Sequence, residues 1–181
     1  MSLWVASTDG SALENSNPEG GPGGLGVQLI YDNDTVTEWG IGYFKTTNNR
    51  MEIMAIISVL EQFQEPTEIT IRTDSEYTIN GATKWVYGWI KNNWETAGGL
   101  PVKNKDLFQR LHKLMKFHKV TLVKVKGHSG DPGNEAADRL AGEAAKNPTL
   151  VDEGFIPSSQ QPKPDPGKQK WNWKNRFQKR K

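Results

Sequence analysis

None of the 181 residues is a cysteine. A disulfide framework and a zinc–thiolate site are therefore both excluded. Three histidines are too few for a histidine-rich metal site. No stretch approaches the roughly 20 apolar residues that a membrane helix requires, so no membrane partner is expected. The opening MSLWVASTDGS has neither a basic start nor a long apolar run, so no signal peptide is expected. These absences favour a cytoplasmic protein.

What is present is unevenly charged. The formal net charge is +2, but residues 162–181 carry eight Lys/Arg and only Asp165, for +7. Residues 1–161 hold 15 basic and 20 acidic side chains, for −5. Clustered carboxylates suit a divalent cation, and a basic tail suits phosphates.

Along the chain, Leu3–Thr8, Leu25–Tyr31 and Thr35–Phe44 read as strands, with a Gly/Pro/Asn-rich loop over residues 14–24 and a turn at Asp32-Asn33-Asp34. From Asn48 to Phe63 the apolar residues change to helical spacing, with Thr46, Thr47 and Asn48 as candidate caps. Glu68–Thr73 and Thr121–Lys126 alternate as strands, and Asp131-Pro132 opens a helix to about Ala145. The order predicts a mixed sheet flanked by helices. From Asn147 onward, prolines separated by Ser and Gln read as a linker over 147–170, before a basic and aromatic tail at 171–181. The expected folded domain is 1–146.

Four carboxylates stand out. Asp9 lies at the end of the first strand, Glu52 in the first turn of the first long helix, Asp74 at the end of the fourth strand, and Asp138 on the last helix. If the strands bearing Asp9 and Asp74 are neighbours, the two side chains meet at one sheet edge. The mutual repulsion of such a cluster is relieved by divalent cations. Each residue also has a plainer explanation: Asp9 and Asp74 as helix caps, Glu52 as a macrodipole partner, Asp138 as a solvated charge.

The strings that carry these residues favour the first explanation. TDGS (8–11), TTNNRMEIMA (46–55), TDSEY (73–77), KWVYGWI (84–90), PVKNKDLFQRL (101–111) and VKGHSGDPGNEAADRLA (125–141) resemble type 1 ribonuclease H in order and spacing. The resemblance implies an α/β ribonuclease H-like fold: a five-stranded mixed sheet, its first three strands antiparallel, flanked by helices. It implies hydrolysis of the RNA strand of RNA–DNA hybrids, leaving 5′-phosphate and 3′-hydroxyl ends. Asp9, Glu52, Asp74 and Asp138 match the family's metal-binding carboxylates, for two Mg²⁺ ions with Mn²⁺ as a substitute. His128 matches a histidine that assists proton transfer or product release, work that suits a side chain with an ordinary pKa near neutrality. A monomer is the expected state.

An A-form hybrid offers 2′-hydroxyls across a shallow minor groove. By the same resemblance, Gly10, Ser11, Asn17, Asn48, Ser75 and Glu76 lie at or near positions that contact it, and Thr47 matches part of a DNA-phosphate pocket. Trp85, Trp89 and Trp94 fall in the family's handle, where Trp85 is a candidate DNA-strand contact. This handle keeps Lys84, Lys91, Lys103 and Lys105 but is otherwise less basic than the bacterial pattern. Lys/Arg interleaved with Trp171, Trp173 and Phe177 in the tail has the composition of an extra nucleic-acid contact, though a protein contact or a solubilising tail has the same composition. Two other functions stay open: a non-catalytic hybrid-binding module, and another nuclease or integrase on the same fold.

Overall fold

A computed structural model describes residues 2–164. Its elements are β1 (Trp4–Ala12), β2 (Gly21–Tyr31), β3 (Asp34–Thr46), α1 (Asn48–Leu60), β4 (Glu68–Thr73), α2 (Glu76–Asn80), a π-helical turn (Gly81–Trp85), α3 (Val86–Lys91), α4 (Lys105–Phe117), β5 (Lys119–Lys124) and α5 (Pro132–Lys146). The sheet order is β3-β2-β1-β4-β5. β1, β2 and β3 pair antiparallel, whereas β4 pairs parallel to both β1 and β5. The expected mixed five-stranded sheet is thus present. Asp32 and Asn33 join β2 to β3 with φ of 49° and 69°. Two left-handed residues in sequence match the twist of a two-residue hairpin, and Asp and Asn tolerate that region.

The main boundary differences lie where glycine misleads. The stretch read as a loop up to residue 24 is already strand from Gly21, pairing Ser11 with Gly24 and Ala12 with Gly23. Glycine is a poor strand former by itself, but here it makes room. A Cβ at Gly24 would lie 2.4 Å from the Ala141 carbonyl oxygen, and one at Gly26 would lie 2.1 Å from that of Ala137. Helix α5 can therefore rest on the sheet backbone, with Ala137, Ala141 and Ala145 buried. β1 likewise continues past Thr8 to Ala12. β5 begins two residues before the expected Thr121, because Glu68 pairs with Lys119.

The opposite face of β2 carries Leu25, Val27 and Leu29, which form a core with Ile53, Ile56, Ile57 and Leu60 of α1 and Phe108 and Leu111 of α4. Burying each such side chain contributes about 1.5–3 kcal/mol. Thr47 supplies the α1 cap, its hydroxyl accepting from the Arg50 N–H at 3.3 Å.

The expected linker requires correction in its first half. The backbone N–H groups of Thr149 and Leu150 both donate to the Gly42 carbonyl at 3.0 Å, and the Phe44 N–H donates to that of Leu150 at 2.9 Å. This pairing covers the C-terminal end of β3, an edge strand, around Gly42–Phe44. Asp152 is buried and accepts from the Arg50 Nε and the Thr46 hydroxyl, each at 2.7 Å. The Ser159 hydroxyl donates to Glu19 at 2.6 Å. Proline content alone concealed these side-chain anchors. The remainder of the expected linker from residue 165, and the tail at 171–181, lie outside the described residues.

Candidate active site

The β1–β4 register places Ser7 opposite Arg72. Two residues further along each chain come Asp9, still within β1, and Asp74, just past β4. Asp9 is therefore inside a strand, not at its end as the sequence had suggested. Gly10 brings the third carboxylate in. A Cβ there would lie 2.3 Å from the Glu52 backbone nitrogen, so only glycine lets α1 lie directly on β1. Carboxylate oxygens of Asp9, Glu52 and Asp74 consequently fall within 4.8 Å of one another. Asp138 on α5 lines the same cavity but is not part of that tight group.

Local structure removes two of the plainer explanations. Ser75, not Asp74, caps α2, its hydroxyl accepting from the Thr78 N–H at 3.2 Å. Glu52 sits in the second turn of α1, and the first turn has no acidic residue; a macrodipole role fades beyond the first turn. The cap of α5 is Asp131, which also pairs with Arg72.

The cluster is electrostatically strained. Asp9 and Glu52 are only 6% and 5% exposed. Burial, with the neighbouring Asp74 charge, pushes Asp9 up to about 7. Burial and then the Asp9 charge push Glu52 well above the usual carboxylate range. Glu52 Oε2 is buried with no hydrogen-bond partner among the described residues. A divalent cation fits this site, since it would give that oxygen a partner and relieve the repulsion, and the donor set is entirely hard oxygen.

An open polar cavity of about 240 Å³ surrounds the cluster. Gly10, Ser11, Asn48 and His128 line it with the four carboxylates. His128 holds φ of 53° in an exposed loop. Thr47 and Ser75 are occupied as caps. Asn17 is not brought to the cavity. Its amide donates to Glu14 at 3.0 Å and its carbonyl accepts from the Glu19 N–H, stabilising a turn. Asn15 instead reaches α1, accepting from the Asn48 N–H at 3.2 Å. Glu76 is exposed and paired with Lys124. Trp85 is 43% exposed, with its ring against Tyr77 and Trp89; Trp89 and Trp94 pack together, and Trp89 also meets Phe108.

Sequence reasoning missed Asn134. It lines the cavity, is 3% exposed and has a buried side-chain oxygen without a partner among the described residues. The available signal was its spacing: it lies four residues before Asp138 and so shares that helix face.

Comparison with known proteins places these features in context. The RNase H family model matches residues 4–146. Ribonuclease HI of Pasteurella multocida is 47% identical over 150 residues, covering 83% of this chain and 94% of that protein. Ribonuclease H of Actinobacillus pleuropneumoniae is 46% identical over 155 residues, covering 86% and 98%. Among solved structures, LC9-RNase H1, a type 1 RNase H with the type 2 active-site motif, superposes with a TM-score of 0.73 at 29% identity, covering 94% of this chain and 81% of that one. The prototype foamy virus (PFV) RNase H domain, with a TM-score of 0.67 at 22% identity and coverage of 82% and 98%, shares the fold.

Proposed function

The chain belongs to the RNase H family, and from that premise we propose that it is an endonuclease hydrolysing the RNA strand of RNA–DNA hybrids. The observation that carries the chemistry is the buried carboxylate group, with oxygens of Asp9, Glu52 and Asp74 within 4.8 Å. A module that only bound a polyanion would gain nothing from concentrated negative charge, which counts against the non-catalytic reading.

In this reading Asp9, Glu52, Asp74 and Asp138 would hold two Mg²⁺ ions, or Mn²⁺ in their place. When bound, the cations supply Lewis-acid polarisation of the scissile phosphate and stabilisation of the leaving oxygen. Because burial raises both Asp9 and Glu52, cation binding there would compete with protons. His128, at the cavity wall, carries a proton to the departing 3′-oxygen or helps the product leave, so that the ends are 5′-phosphate and 3′-hydroxyl. Gly10, Ser11, Asn48 and Ser75 face the minor groove, Thr47 a DNA phosphate, and Trp85 the DNA strand. The basic tail adds a second phosphate contact, which raises the local concentration of the substrate.

The test is a labelled RNA–DNA hybrid incubated with the unmodified chain, with and without Mg²⁺, beside Asp9→Asn and Asp74→Asn. Cleavage of the RNA strand is expected only from the unmodified chain with metal. An intact hybrid in both Mg²⁺ and Mn²⁺ would refute the enzymatic reading.

A further inference from the structure

One ion pair beside the cavity is not accounted for by the carboxylate chemistry. Lys124 ends β5 and Glu76 opens α2. Their side chains meet at 2.5 Å while remaining 55% and 66% exposed. Lys124 lies opposite Thr73 in the β4–β5 register, and Asp74 is the next residue. The chain then stays against the site: the Val125 N–H donates to the Thr73 carbonyl at 3.0 Å, and a Cβ at Gly127 would meet Asp74 Oδ2 at 2.6 Å. The Lys124–Glu76 pair thus lies beside the end of β4 that carries Asp74, just outside the residues that line the cavity. Lys84, from the π-helical turn, adds positive charge near the same carboxylate.

A polyanion crossing a cavity of carboxylates needs cations at its edge. Arg72, the neighbouring cation on β4, is already engaged by Asp131. We propose that Lys124 contacts a backbone phosphate of the bound hybrid, and that Glu76 is the built-in competitor that limits this contact. The inference rests on the hybrid being the ligand, as proposed above. An ion pair this exposed is weak and screened by salt, so a phosphate can take the place of the Glu76 carboxylate. While Glu76 is present, that exchange must break the pair and leave a negative charge beside the phosphate. Glu76 therefore lowers affinity for the hybrid, and its removal tightens binding.

The experiment measures binding of a short fluorescent RNA–DNA hybrid by anisotropy, in Mg²⁺, with every variant on the Asp9→Asn background. Cleavage by the unmodified chain is scored separately, so failure of the catalytic reading and failure of this one remain distinguishable. Glu76→Gln should tighten binding roughly two- to fivefold at low salt, the range that release of one exposed ion pair allows. Adding Lys124→Met should reverse the gain and make the slope of log affinity against log salt shallower by about 0.9, the value for one phosphate contact. Glu76→Gln should gain less when Lys124 is already replaced by Met. The proposal is overturned if Glu76→Gln binds no tighter, or if its gain is equally large without Lys124. In the latter case removal of a negative charge, not release of Lys124, would be the cause.

Discussion

Replacing Asp9 by Asn should stabilise the metal-free protein near neutral pH while abolishing cleavage. In the folded chain Asp9 is pushed from 3.8 up to about 7, first by burial and with a contribution from Asp74. The unfolded chain releases this proton near 3.8, so the native state binds more protons between those two values. Stability from the proton is complete below about pH 4 and is lost as pH rises through about 7. A shift of about three units corresponds to at most about 4 kcal/mol at ~1.4 kcal/mol per unit. Glu52 is raised as well and titrates together with Asp9, so that figure is an upper bound belonging to the pair, and removing one of the two carboxylates is expected to recover ~2 kcal/mol of it. Asparagine removes the charge but keeps the size and an oxygen to accept the Gly10 N–H, which Asp9 Oδ1 now accepts at 2.9 Å. Thermal unfolding in EDTA at about pH 8 should then show Asp9→Asn melting about 4–8 °C higher than the unmodified protein. The gap should narrow toward about pH 5, where the native carboxyl is protonated. Adding Mg²⁺ should raise the melting temperature of the unmodified chain more than that of the variant, since only ligands that bind the native state stabilise it. An equal or lower melting temperature for Asp9→Asn at about pH 8 in EDTA would refute the reasoning.

Other outcomes follow from packing. Asp152→Ala should destabilise the fold by about 3 kcal/mol in urea titration, because it strips one of two partners from the buried Arg50 guanidinium and leaves Asp106 as the other; no loss would mean that the pair contributes nothing net. Ending the chain after Lys146 should lower the melting temperature by removing Leu150, Asp152 and Phe155; ending it after Pro164 keeps those residues, so comparing hybrid affinity and salt slope between the full chain and the Pro164 truncation isolates the basic tail. Gly26→Ala should cost at least about 1–3 kcal/mol, the usual range for overpacking, because its Cβ would sit 2.1 Å from the Ala137 carbonyl oxygen; an unchanged urea midpoint would show that α5 can move aside freely.

Much of this architecture was legible before folding. Helix α1 showed itself through apolar spacing and Thr47, because capping and burial of a helical face are local properties of order and period. The alternation in Glu68–Thr73 did the same for β4. The first half of β2 was not legible, since glycine in a strand makes sense only once α5 is seen lying on it. Arg50 lay inside the TTNNRMEIMA string with no partner expected for it, and Asp152 fell within the expected linker. They are 102 residues apart, and no local pattern announces a pair at that separation. Asn134 escaped for the same reason: an amide on a helix acquires meaning only from what faces it.

For this protein, then, the sequence by itself determined the identity of the four carboxylates, the strings that carry them and the split between an acidic body and a basic tail. Those are properties of composition and order. Only the tertiary structure decided that Asp9, Glu52 and Asp74 share one desolvated point, that Asp138 stands slightly apart, and that Glu76 faces a lysine. Burial and like charge raise a carboxylate's pKa and create its demand for a cation, and both exist only after β1, β4 and α1 have been brought together.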